Sequence, residues 1–211
     1  MNIKKVAIPT LCLAAALPTA ALVAQVALPA AARAVRMDSA ADAALVGADA
    51  APISLQVDRG ARILTVMRGG AKVKTYAVAV GNPRYPTPQG TYKIRKIVWN
   101  PSWRPPPGAA WAKGKTAQGP GDPKNPMKVV KIFFRDPDYY IHGTDDIESL
   151  GAAESHGCLR MDPNEVADLA RLVMENGGQP RDENWFWRMI HFRREEKVVY
   201  LDNPITMTVT D

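Results

Sequence analysis

Cysteine is nearly absent from this chain. Its 211 residues include two, Cys12 and Cys158, and three histidines. So few cysteines exclude a disulfide-framed scaffold. No run of lysine and arginine interleaved with aromatic residues occurs, so the footprint of a nucleic-acid binder is missing. The formal net charge is +6, and three of the basic residues behind it, Lys4, Lys5 and Arg33, fall at the N-terminal end. The remaining surplus would suit any anionic surface. Internal repeats are also missing. Apolar residues make up 46%, which is ordinary for a globular domain and excludes global disorder. The length suits one domain and leaves little room for a second.

The N-terminal end carries an export signature. Residues 1–5 form a short positive start, and residues 6–32 are apolar, alanine-rich and uncharged. Ala30-Ala31-Ala32 and Ala32-Arg33-Ala34 offer small residues at the spacing of a signal-peptidase site. Residues 1–34 are expected to be a signal peptide, and the protein to be exported to the periplasm or cell envelope. An uncleaved anchor is the alternative, although Pro9, Pro18, Gln25 and Pro29 interrupt a spanning helix. Residues 35–51, rich in Ala and Asp, are expected to be a linker, and residues 52–211 the folded domain. Removing the signal leaves Cys158 as the lone thiol, either buried and inert or reactive.

From residue 53 the pattern is one of short strands. Ile53, Leu55 and Val57 alternate with Ser54 and Gln56. Gly69-Gly70 marks a hairpin between strands at 63–67 and 73–80. Thr87-Pro88-Gln89-Gly90 is a tight turn ahead of a strand at 92–98. Further strands are expected at 128–134 and 139–141, with closing strands at 198–201 and 205–209. The fold class is therefore mostly β, an antiparallel sandwich or barrel. Residues 100–127 interrupt it with Pro101, Pro105, Pro106, Pro107, Pro120, Pro123 and Pro126. Trp103 and Trp111 lie in this stretch, which is either a binding lid or a surface loop packing its own tryptophans. One helix is well marked: Asp162 as N-cap, Pro163 first inside, Glu165 in the first turn, and Gly177-Gly178 at the end. A second helix is expected over 184–192.

The chemistry concentrates in Ser155-His156-Gly157-Cys158-Leu159-Arg160, with His142-Gly143-Thr144 upstream at the end of an apolar strand. A free thiol is mostly protonated at neutral pH, and the thiolate is the nucleophile. An imidazole on a rigid strand end takes the proton and holds the thiolate as an ion pair. Gly157 permits a tight turn whose N–H groups face a developing oxyanion. The helix that follows would bring partial positive charge close. His142 is expected to be the base and His156 a hydrogen-bonding structural residue. Two rivals are zinc held by His142, His156 and Cys158 with Asp145, Asp146 or Glu154, and an interchain disulfide through Cys158. Ser155 lacks the glycine pattern of a serine nucleophile elbow.

This compound motif resembles that of the L,D-transpeptidase catalytic domain family, also called YkuD-like: an upstream His-Gly, then Ser/Thr-His-Gly-Cys, an apolar residue and Arg or Asn. The turns at Gly81 and at Thr87-Pro88-Gln89-Gly90, the Pro101-Ser102-Trp103 segment and Asn125-Pro126-Met127 agree with it. The resemblance covers about residues 52–175, and residues 176–197 look like an addition to the family pattern. It implies a mostly antiparallel β-sandwich or barrel with one or two short helices after the cysteine loop. It implies Cys158 as nucleophile, His142 as base and the Gly143 carbonyl as the group that orients the imidazole. Backbone N–H groups of His156, Gly157 and Cys158 would form the oxyanion hole, with Ser155 and His156 bracing the loop. Arg160, Thr144 and Trp103 would face the substrate, Arg160 either binding a carboxylate or only pinning the loop. The implied substrates are peptidoglycan tetrapeptide stems, as donor and as acceptor; a protein lysine or D-amino acid is an alternative acceptor. No metal or organic cofactor is implied. Hydrolysis of the same bond, and wall binding without catalysis, are the competing functions.

Overall fold

The computed structural model describes residues 51–211. The expected signal peptide, and all of the expected linker except its last residue, lie outside the described residues. Eight strands form one sheet: β1 (Ile53–Asp58), β2 (Ile63–Arg68), β3 (Ala71–Ala77), β4 (Gly90–Trp99), β5 (Lys128–Arg135), β6 (Tyr139–Gly143), β7 (Leu159–Met161) and β8 (Lys197–Thr210). Two helices, α1 (Pro163–Asn176) and α2 (Glu183–His191), lie between β7 and β8. The sheet order is β3-β2-β1-β8-β4-β5-β6-β7.

Alternation explains β1: Ile53, Leu55 and Val57 are buried while Gln56 and Asp58 are exposed. Gly69 and Gly70 both have positive φ, the requirement of the tight turn that joins β2 to β3. Past β3 the chain leaves its partner strand and crosses to the far edge. Ala79 exchanges two backbone hydrogen bonds with Arg160 of β7, each 3.0 Å. Ser155 N donates to Val80 O at 2.9 Å, and Asn82 N donates to Ser155 O at 3.0 Å. The two edges of the sheet are thereby tied together into a near-barrel. This closure seats the cysteine loop against residues 79–82.

One expectation needs correction, that of two closing strands, and two features add to the expected fold. The sheet is mostly antiparallel, as expected, and within it β1 pairs with β8, and β6 with β7, in parallel. The two closing strands are one element, β8, because the register shift opposite Ile94/Lys96 accommodates residues 202–204 without ending the strand. Pro204, which has no N–H to give, sits at that irregularity. Residues 176–197 contribute to the core. Phe186 and Met189 of α2 are buried, and Phe186 and Trp185 pack on the fully buried Trp99 with centroids 5.7 and 5.6 Å away. The Trp99 indole donates to Met174 Sδ at 3.2 Å, joining α1 to the same cluster.

Helix α1 follows its sequence signals. The Asp162 carboxylate accepts from Asn164 N at 2.8 Å and Glu165 N at 3.2 Å. Val166, Leu169, Ala170 and Val173 are fully buried, at the spacing of one helical face. That face packs across β5 and β6, beneath the strand ends that carry the site.

Candidate active site

β6 carries Tyr140 and His142, two positions apart and so on one face of the strand. The antiparallel register sets Lys131 of β5 opposite His142. The parallel register of β6 and β7 pairs Ile141 with Leu159 and His142 with Arg160, which brings Cys158, just ahead of β7, alongside Tyr140. Cys158, His142, Thr144, Ser155, His156, Arg160 and Trp103 all line one cavity of about 490 Å³. Gly143 and Gly157 support it from behind, both buried.

The His142 ring is 4% exposed, and its Nδ1 lies 2.9 Å from the Gly143 carbonyl. A carbonyl only accepts, so this bond puts the proton on Nδ1 and leaves the Nε2 lone pair free in the neutral ring. Burial holds the His142 pKa down at about 4, with the Arg160 and Lys131 charges acting the same way. Gly143 is required by space: a Cβ there would lie 2.5 Å from the Lys128 carbonyl oxygen.

The Cys158 thiol lies partly buried in the cavity wall, with the Asp138 carbonyl 3.5 Å from Sγ. Burial pushes its pKa up to about 11, against hydrogen bonds from Tyr140 and the charges of Lys131 and Arg160. Burial thus works against the charged form of both groups. The helix field is also displaced. β7 separates Cys158 from α1, roughly 10 Å of strand, and a helix terminus acts over about one turn.

The other expected residues have defined places. Ser155 is 1% exposed; its hydroxyl accepts from Gly157 N at 3.0 Å and donates to the Cys158 carbonyl at 2.5 Å. Thr144 Oγ1 accepts from Asp146 N at 3.1 Å. Arg160 is already engaged, donating to Asp146 at 2.9 Å and to Ser149 Oγ at 3.4 Å, so it pins the short turn Ile147–Ser149. Trp103 is 6% exposed and exchanges backbone hydrogen bonds with Gln118. His156 differs from the expectation of a hydrogen-bonded brace. It is exposed, stacked on Trp111 at 4.2 Å and tilted against Tyr85 at 5.2 Å. The proline-rich segment therefore roofs the cavity through Trp111. Among the described residues, no group of three or more His, Cys, Asp and Glu side chains is placed to hold a metal ion.

Three contributors escaped the sequence reading. Lys131 donates to the Ser102 carbonyl at 2.9 Å and sits 4.8 Å over the Tyr140 ring. Burial lowers its pKa, while the Cys158 charge opposes that shift. Tyr140 lies 5.7 Å from the His142 ring, and burial beside Cys158 raises its pKa. Tyr85 is tilted against the His156 ring and lines the same cavity. The period of two through Tyr140 and His142 was the available signal for Tyr140. A lysine inside the otherwise apolar 129–134 run was the signal for Lys131.

Residues 52–186 match the family described as the L,D-transpeptidase catalytic domain, YkuD. The chain belongs to this family. The Bacillus subtilis protein named "Putative L,D-transpeptidase YkuD" is 32% identical over 122 residues, covering 58% of this chain and 61% of that protein. A second protein of the same organism, similarly named with the symbol YqjB, is 34% identical over 103 residues, 46% of this chain and 53% of that one. The match thus spans less than two thirds of these curated relatives. Among solved structures, an L,D-transpeptidase from Mycobacterium smegmatis aligns at 19% identity with a TM-score of 0.49, covering 76% of this chain and 59% of that one.

Proposed function

We propose that the chain is an exported peptidoglycan L,D-transpeptidase, with Cys158 as nucleophile and His142 as general base. The observation that carries this is the placement of both residues on one cavity, with the His142 Nδ1 bound by the Gly143 carbonyl so that Nε2 is the basic nitrogen. The donor is the carbonyl of the third residue in a tetrapeptide stem. Sγ attacks that carbon while its proton passes to Nε2. The tetrahedral oxyanion is held by backbone N–H groups of the loop through His156, Gly157 and Cys158. The C–N bond breaks, and the terminal D-alanine leaves with the proton from Nε2. An amine then attacks the thioester, a new amide forms, and the C–S bond breaks with Sγ regaining a proton by way of His142. The acceptor amine belongs to the third residue of another stem, a protein lysine or a D-amino acid.

Neutral resting groups fit this scheme. The proton moves as the S–C bond forms, so positive charge develops on the His142 ring while negative charge develops on the substrate oxygen. The roof made by Trp103 and Trp111 limits the access of water to the thioester. The test is incubation of the chain with a purified disaccharide-tetrapeptide, followed by mass spectrometry, beside Cys158→Ala and His142→Ala. A dimer lighter by one D-alanine, absent from both variants, is expected. Loss of D-alanine without a dimer would identify a hydrolase. A folded protein that releases nothing would leave wall binding without catalysis.

A further inference from the structure

The oxyanion donor proposed above depends on the direction of one peptide plane, between Gly157 and Cys158. Gly157 has φ +108°, a conformation reserved for glycine, and a Cβ there would lie 2.9 Å from the Tyr139 ring. A glycine in that region gives the loop little stiffness of its own, so the plane has to be fixed from outside.

Thr87 is placed to fix it. Its hydroxyl donates to the Gly157 carbonyl at 2.9 Å and accepts from Gly81 N at 2.8 Å. One donor and one acceptor are thereby used in a single defined direction. The residue is 1% exposed and lies behind the loop, outside the cavity lining to which His156 and Cys158 belong. The turn carrying it is itself held: Arg59 donates to the Thr87 carbonyl at 2.6 Å and pairs with Asp211, which also accepts from Gln89. Gly81 can approach only because it lacks a side chain, since a Cβ would lie 2.4 Å from Thr87 N. In a trans peptide the C=O and the following N–H point in opposite directions. Binding the Gly157 oxygen from behind therefore turns the Cys158 N–H forward. Ser155 cannot do this, because its hydroxyl holds the two flanking planes through Gly157 N and the Cys158 carbonyl.

We infer that Thr87, through its hydrogen bond to the Gly157 carbonyl, is the positioning residue that aims the Cys158 N–H at the oxyanion. This rests on the reading of Cys158 as the acylated nucleophile. Removing one oxyanion donor costs about 10²–10³-fold in rate, and a misaimed donor loses part of that.

The experiment compares two reactions of Cys158 in the full chain, both read by mass at that residue. One is acylation by a tetrapeptide stem or a carbapenem, which passes through an oxyanion. The other is alkylation by iodoacetamide, a displacement that forms none. Thr87→Val is expected to slow acylation by roughly 10–100-fold and to leave alkylation within about twofold, while Thr87→Ser restores acylation. Equal acylation in Thr87→Val and wild type would overturn the inference, as would a parallel fall in both reactions. If Thr87→Val does not fold, Arg59→Met decides, since it loosens the turn and keeps the hydroxyl: a lower ratio of acylation to alkylation supports the inference and an unchanged ratio overturns it. A wild-type protein that alkylates but never acylates overturns the reading of the site, and this inference with it.

Discussion

Burial, more than any charge, sets the resting state of the proposed dyad. With the Cys158 pKa near 11 and that of His142 near 4, thiol and imidazole coexist as neutral groups across the whole physiological range. At pH 7 the thiolate fraction is then about 10⁻⁴, four pH units below the thiol pKa. Two pH profiles follow, with different shapes. Alkylation by iodoacetamide needs the thiolate, so its rate should climb about tenfold per pH unit from pH 6 to 10 without levelling off. In the proposed mechanism acyl transfer uses neutral thiol and neutral imidazole together, so its rate should stay nearly flat over the same interval. The assay is time-resolved mass spectrometry on the peptide containing Cys158, which separates it from Cys12. An alkylation plateau below pH 8 would refute the argument, because it is the signature of a thiolate–imidazolium pair already formed at rest.

Other perturbations test the surroundings. The lowered His142 pKa stabilises the fold above the unfolded value of about 6.5, and this stability is lost as pH falls through about 4. The linked loss is about 3 kcal/mol, and His142→Gln should flatten that part of the pH dependence in urea unfolding; an unchanged slope would contradict the assignment. Phe186→Ala should cost about 3–5 kcal/mol by the same method, because Phe186 is buried against Trp99. A small effect would contradict the packing of α2 against Trp99. Gly143→Ala forces a Cβ to within 2.5 Å of the Lys128 carbonyl and so moves the carbonyl that orients His142. Its rate of acyl transfer should fall at least about tenfold while Cys158 alkylation at pH 9 is retained. Trp111→Ala removes the stack on His156 and should raise KM about fivefold, near 1 kcal/mol, with kcat little changed.

The parts of this structure that sequence announces are those whose causes are local. Gly69-Gly70 makes its turn by backbone freedom at those two positions, and Asp162 caps α1 through N–H groups two and three residues on. His142-Gly143 and Ser155 to Arg160 were legible for the same reason, since each motif is contiguous and its chemistry depends on neighbours. What stayed hidden depends on long-range pairing. The parallel partnership of β6 and β7 puts Cys158 beside Tyr140 and Lys131 across from His142, and no local pattern specifies it. The packing of Trp185 and Phe186 is hidden for the same reason, since their partner Trp99 lies far away in sequence.

The same distinction bears on how the site works. The local motif supplies the proposed nucleophile, the proposed base and a glycine turn, but a turn with Gly157 at φ +108° has no preferred direction of its own. Direction comes from contacts far away in sequence: Thr87 on the Gly157 carbonyl, residues 79–82 on Ser155 and Arg160, and Trp111 on His156. Each depends on the closure that carries the chain from β3 across to β7. Loosening that closure should therefore reduce acyl transfer before it reduces thiol reactivity, because the oxyanion donors need a fixed peptide plane and a displacement at Sγ does not.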